Sequence, residues 1–369
     1  MTDAPTNNTV LPLLADPANY VACPWDLTTD EAKRAYWLDL FRRHFPSLLA
    51  EAVRETVEAG GSETRASERA ERAKQVFFAW LDERADDPAG ASPDGRMDIL
   101  TICHVRERVL RDVGIHDPYR LAKATENATA MRLLPGVLAK VDAMSPARRE
   151  EAVLEGVFAG NIFDLGATKT AERFQSGPVD FYETLNELKP RPWLVDDLDA
   201  WLARMDGPAH RRALLFVDNA GPDVVLGMLP FARHLLARGT EVILAANTAP
   251  SLNDVTHEEL VALLDEAAHL DTALASARRS GRLQTVASGN GAPLIDMTRL
   301  SPQLVAWVEA EPVDLLVIEG MGRALESNFD ARFTCDTLKL AMVKDQGVAD
   351  ALGGEVYDLV CRFERGEEK

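Results

Sequence analysis

The sequence predicts an α/β protein, an α/β/α sandwich with a Rossmann-like, mainly parallel sheet and an N-terminal helical region. Three observations predict it. Residues 213–217, 241–246, 283–287 and 315–318 are short apolar runs, the pattern of strands buried on both faces, and residues 355–363 read as a last strand. Helix-like segments separate these runs, one ending near Arg238-Gly239 and another spanning about 256–268, which makes parallel βαβ units. The first half shows only helical spacing.

In that half a helix starts near Thr29 with Trp37, Leu38, Leu40 and Phe41 at helical intervals, and Pro46 is expected to interrupt it. Charged helical patterns follow over 63–84, then turn chemistry at Asp86-Asp87-Pro88-Ala89-Gly90 and Ser92-Pro93-Asp94-Gly95. A further helix carries Ile99, Ile102, Cys103, Val109 and Leu110 on a core-facing stripe. The pattern breaks at Lys189-Pro190-Arg191-Pro192, so the expected division is a helical region over 1–190, contributing to the pocket, and an α/β core over 191–369.

A chain of 369 residues can bury a large core, and 46% hydrophobic with 27% charged residues is ordinary for a globular protein. No apolar run approaches the roughly 20 residues of a membrane span. The stretch from Met1 to Tyr20 has neither a basic start nor an apolar signal core, so a cytoplasmic location is expected. A net charge of −19 argues against nucleic-acid binding and requires any phosphate site to concentrate positive charge locally. Cys23, Cys103, Cys335 and Cys361 lack zinc spacing and read as small buried hydrophobes; His104 and His257 likewise lack metal spacing.

Ligands of open α/β sheets bind beyond the carboxyl ends of the strands. There the sequence places Asp218-Asn219-Ala220-Gly221-Pro222-Asp223, then Asn247 with Asn253 and Asp254 shortly after, and Glu319-Gly320-Met321-Gly322-Arg323. Asp218, Asn219 and Asp254 form a hard oxygen set suited to a divalent ion. Adjacent Asp218 and Asn219 can face one ion only where the strand has ended and the backbone turns. Gly320 and Gly322 allow close approach of a phosphate, with Arg323 and Lys344 as its charge partners. Each piece also has a plainer reading. Asp-Asn before Gly-Pro is a common turn, Asp254 can cap a helix, and Thr256 with Glu259 can form a capping box instead.

Together these segments resemble the metal-dependent damage-control phosphatases (ARMT-like, DUF89-type). Phe216-Val217-Asp218-Asn219, Leu252-Asn253-Asp254-Val255-Thr256 and the EGMGR run at 319–323 carry the likeness, the last as a subfamily signature. Ala159-Gly160-Asn161-Ile162-Phe163-Asp164 and residues 338–344 extend it over most of the chain. The resemblance implies metal ligation by Asp218, Asn219 and Asp254, a substrate-facing acid at Asp223, and Asn161 lining the pocket. It implies hydrolysis of small phosphomonoesters with Mn, Co, Ni or Mg, and 4′-phosphopantetheine and its oxidised forms as substrates. A sugar-phosphate phosphatase and a non-catalytic phosphometabolite-binding module are the alternatives; a nucleotide- or S-adenosylmethionine-dependent transferase would require a GxGxxG loop that is absent. Asn161 and Asp164 also read as a capping device at a helix start. Lys339 and Lys344, five apart in a possible helix, face differently, and Lys344 is favoured for the site. In the expected mechanism the phosphate oxygens rest on backbone N–H groups near Gly221 and Gly320, and Asp223 orients or activates water or acts as nucleophile.

Overall fold

The computed structural model describes residues 9–162 and 181–366. Five helices come first: α1 (Glu31–Glu58), α2 (Glu63–Asp86), α3 (Ile99–Asp112), α4 (Arg120–Asp142) and α5 (Pro146–Asn161). Asp30, Ser62 and Asp98 cap α1, α2 and α3, each side chain accepting from a backbone N–H three residues on. Pro46 does not interrupt α1, contrary to expectation. An interior proline removes one hydrogen bond and costs about 3 kcal/mol in isolation. Here the turn around it buries Phe45, Leu48 and Leu49, with the Phe45 and Phe77 rings 4.6 Å apart, and that packing holds the helix.

The strands are β1 (Val195–Asp196), β2 (Arg212–Phe216), β3 (Glu241–Ala246), β4 (Leu283–Ala287), β5 (Leu315–Glu319), β6 (Asp336–Met342) and β7 (Leu359–Glu364). They form one seven-stranded sheet in the order β1-β7-β6-β5-β2-β3-β4. Every pair is parallel except β6 with β7. The predicted mainly parallel sheet is therefore present. The segment around Lys339 is strand β6 and not a helix; it is claimed on both sides, by β5 and by β7.

Alternation along β2 shows how the layers form. Ala213 and Leu215 pack into one core with Leu134, Phe158 and Leu235, while Leu214 and Phe216 pack into the other with Phe45, Cys103 and Leu304. Helices α1, α2 and α3 thus cover one face of the sheet, and α4 and α5 cover the other, so each core draws on both halves of the sequence. All four cysteines are free and buried, as expected of small hydrophobes, and burial pushes the Cys23 and Cys335 thiols up to about 12. Among the described residues no helix is long and apolar enough to cross a membrane.

Candidate active site

Strands β5, β2 and β3 are parallel neighbours, so their carboxyl ends meet where open α/β sheets form a ligand crevice. After β2 the chain runs through Val217 and turns at Asp218 and Asn219. The loop after β3 is stapled to that turn: Asn219 and Asp254 form an antiparallel bridge, Ala220 N donates to Asn253 O (2.9 Å), and Val255 N donates to Asp218 O (3.0 Å). The next helix, His257–Leu270, is capped by Thr256 and Glu259 in a reciprocal capping box. Asp254 is thereby released from capping and turns into the crevice. There its Oδ2 accepts from Asn247 Nδ2 (2.8 Å) and Arg323 Nη2 (2.9 Å).

At the end of β5, Glu319 is followed by Gly320 at φ 103°, then by a π-helical turn, Met321–Ser327, that carries Arg323 inward. The opposite wall comes from α5. A Cβ on Gly160 would lie 2.8 Å from Asp223 Cα, so glycine is what allows the end of α5 to press against the Pro222–Asp223 backbone. This contact delivers Asn161, whose Nδ2 donates to Glu319 Oε1 (2.6 Å), Asp223 Oδ2 (3.0 Å) and Asp218 Oδ2 (3.3 Å).

Asp218, Asp223 and Glu319 are all buried, and one oxygen from each lies within 4.8 Å of the other two. Asn219 Nδ2 donates to Asp218 and Asp223 (2.9 Å each), and Asp218 N donates to Glu319 Oε2 (2.9 Å). Burial first, and the neighbouring Asp223 charge second, push the Glu319 carboxyl well above the usual range; burial also raises Asp223. Asp223 Oδ1 is buried with no hydrogen-bond partner. Three converging carboxylates with an unused buried oxygen are a donor set with the charge and hardness to hold a divalent cation.

The sequence model of the damage-control phosphatase ARMT1-like domain matches residues 40–360. The chain belongs to that family. It is 39% identical to a damage-control phosphatase of Arabidopsis thaliana over 94% of either chain. It is 40% identical to pantothenate kinase 2 of Arabidopsis thaliana and 34% identical to the 4′-phosphopantetheine phosphatase of Mus musculus, over 96% of this chain. The chain spans only 42% and 48% of those two relatives. Its fold is also that of a DUF89-family protein from Pyrococcus horikoshii, at TM-score 0.60 and 14% identity, covering 90% of this chain and 98% of the other.

The structure joins Asn161, Asp218, Asn219, Asp223, Asp254, Glu319 and Arg323, all singled out in the sequence, in one network of hydrogen bonds and ion pairs, with some changes of role. Asn161 is the last residue of α5; Asp164, the other half of the expected capping device, lies outside the described residues. The backbone N–H groups of Gly221 and Gly320, expected to cradle phosphate, are engaged by Asn127 Oδ1 (2.6 Å) and Leu340 O (2.9 Å). Arg323, expected on the phosphate, is 1% exposed and bridges carboxylates: Nη1 contacts Asp218 and Nη2 contacts Asp254 and Asn247. Gly322 packs under Pro293, where a Cβ would lie 2.7 Å from its carbonyl oxygen. Lys344 follows β6, is buried, and its charge acts on Asp223 and Glu319.

Lys339 is structural. Its Nζ donates to Phe329 O (2.7 Å), Ala331 O (2.8 Å) and Glu364 (2.8 Å), and burial lowers it to about 8 against the pull of Glu364. Lys339→Met is expected to reduce the unfolding free energy by about 1–3 kcal/mol, because two carbonyls and a carboxylate lose their donor. Urea denaturation measures this; turnover per folded molecule should stay at the wild-type value.

Two site-proximal residues escaped the sequence reading. Arg106 and Glu107 of α3 are 7% and 5% exposed and reach Ser251, in the Asp254 loop. Their signal was available: Arg106 falls on the same helical stripe as Ile102, Cys103 and Val109, where a charge requires an explanation.

Proposed function

We propose that the chain is a metal-dependent phosphomonoesterase of small metabolites, acting first on 4′-phosphopantetheine and its oxidatively damaged forms, in the cytoplasm. The buried carboxylate cluster at the strand ends, in a chain of this family, is the observation that carries the reading. The relative named for 4′-phosphopantetheine supports the substrate.

In this proposal Asp218, Asn219 and Asp254 hold the ion, with Asp223 and Glu319 on its flank. Asp218 belongs both to the carboxylate cluster with Asp223 and Glu319 and, through the Arg323 guanidinium, to the pair with Asp254. A divalent cation at this site, with manganese, cobalt or nickel preferred over magnesium, would supply Lewis acidity toward the phosphoryl group and toward water. The chain's own residues do the rest. Asn161 keeps three carboxylates in register through one amide nitrogen. Arg323 fixes the separation of Asp218 and Asp254. Asp223, whose carboxylate is made more basic by burial, orients water or accepts its proton at Oδ1, the oxygen left unbonded. Lys344 offsets charge that builds on the transferred group.

Metal-stripped protein, resupplied with Mg²⁺, Mn²⁺, Co²⁺ or Ni²⁺, is expected to release phosphate from 4′-phosphopantetheine faster than from sugar phosphates. A sugar phosphate leading the panel would redirect the substrate assignment. Silence with every metal, in folded protein, would leave a binding module.

A further inference from the structure

The active site gathers more negative than positive charge. Asp218, Asp223, Asp254 and Glu319 are buried there, and beside them stand two cations, Arg323 and Lys344. Arg323 bridges Asp218 and Asp254, and the Lys344 charge acts on Asp223 and Glu319. A phosphomonoester dianion entering such a crevice needs a further donor whose charge is not consumed by the metal ligands.

Arg106 meets that need from the helical side. Its Nε and Nη2 both donate to Glu107 Oε1 (3.0 and 2.7 Å), and Nη2 also reaches Ser251 Oγ (3.4 Å). Ser251 Oγ in turn donates to Glu107 Oε1 (2.8 Å), and Ser251 O accepts from Asp254 N (3.0 Å). The guanidinium plane is thus fixed against the loop that presents Asp254, with the Phe41 ring 5.6 Å beneath it. One arm is left. Among the described residues Nη1 makes no hydrogen bond, and the side chain is 9% exposed. A buried arginine locked on one edge and open on the other is a preorganised anion donor.

We propose that Arg106 is the residue through which the helical region binds the substrate's phosphate, donating from Nη1 while Glu107 and Ser251 hold its other edge. This rests on the phosphatase reading and deepens it, because it assigns recognition of the phosphoryl group to the helical half and not to the EGMGR arginine.

Inorganic phosphate is the probe, on metal-loaded wild type, Arg106→Met and Arg106→Lys. In the methionine variant phosphate binding by calorimetry should weaken about ten- to hundredfold, the loss of one charge-assisted hydrogen bond. KM for the ester should rise with it, while the metal Kd stays within about threefold. Lysine should give an intermediate loss, because a single ammonium cannot hold Glu107 and the anion together. Phosphate binding within about twofold of wild type in both variants would overturn the proposal. So would parallel weakening of metal and phosphate, which would make Arg106 a support of the Asp254 loop. Should the methionine variant fail to fold, the lysine variant is read alone on the same scale. Absence of phosphate release by the wild type would refute the enzymatic reading, whereas the calorimetric comparison judges Arg106 independently.

Discussion

Asp254→Asn is expected to lower metal-restored phosphate release by about three orders of magnitude or more, equivalent to about 4 kcal/mol of lost transition-state stabilisation, in a protein that still folds. The two halves of that expectation have separate causes. Folding survives because the helix after Asp254 is capped by Thr256 and Glu259, so nothing in the cap depends on the carboxylate. An asparagine keeps one oxygen where Asp254 Oδ2 accepts from Asn247 and Arg323. Arg323 also retains Asp218 and the Pro293 carbonyl, so its charge is not stranded in the interior. Activity is expected to fail because an amide in place of the proposed ligand Asp254 lacks the negative charge that would attract a divalent ion. Thermal melting, metal calorimetry and phosphate release on the same preparation separate the two. Release within about tenfold of wild type would remove Asp254 from the ligand set.

The features legible in the sequence were those set by local rules. Apolar runs bounded by turns located β2, β3, β4 and β5, and strand ends located Asp218, Asp254 and Glu319, because a polar residue just past a buried strand has few other reasons to be there. The capping box was visible as Thr256 with Glu259 three residues later, and its presence is what turns Asp254 toward the site. What failed depended on partners remote in sequence. The residues of β6 carry alternating apolar positions at 338, 340 and 342 but also suit a helix, and only pairing with β5 and β7 decides between the two. Pro46 is tolerated because of rings contributed by α2. Asn161 reaches the carboxylates because Gly156 and Gly160 let one face of α5 lie against the Pro222–Gly227 backbone, a contact no window of sequence contains. The N–H groups of Gly221 and Gly320 were assigned to phosphate without knowledge that Asn127 and Leu340 would take them. Arg106 is the instructive case. Its place on an apolar stripe marked it as exceptional, but its meaning appears only when the loop at Ser251 is brought beside it.

The second large effect concerns the backbone at the end of β5. Gly320→Ala is expected to destabilise the protein by about 3 kcal/mol or more and to abolish turnover. At φ 103° and ψ 148° Gly320 occupies a region that side-chain-bearing residues adopt only under strain, by itself about 1–3 kcal/mol. Space is refused as well: a Cβ there would lie 2.4 Å from both Cγ and Oδ2 of Asp218. Neither atom belongs to a side chain that can swing away, because Asp218 is held by Asn161, Asn219 and Arg323 at once. The substitution therefore displaces a proposed metal ligand or moves Glu319, and either change disrupts the carboxylate geometry. Gly353→Ala is the control. That glycine ends the helix Gln346–Leu352 at φ 71°, with nothing within 4 Å of the place a methyl would take, so alanine there carries only the left-handed backbone penalty of about 1 kcal/mol. Melting curves and metal-restored phosphate release for the two variants isolate the contribution of the contact with Asp218. Equal melting temperatures with equal turnover would mean that the end of β5 does not shape the site.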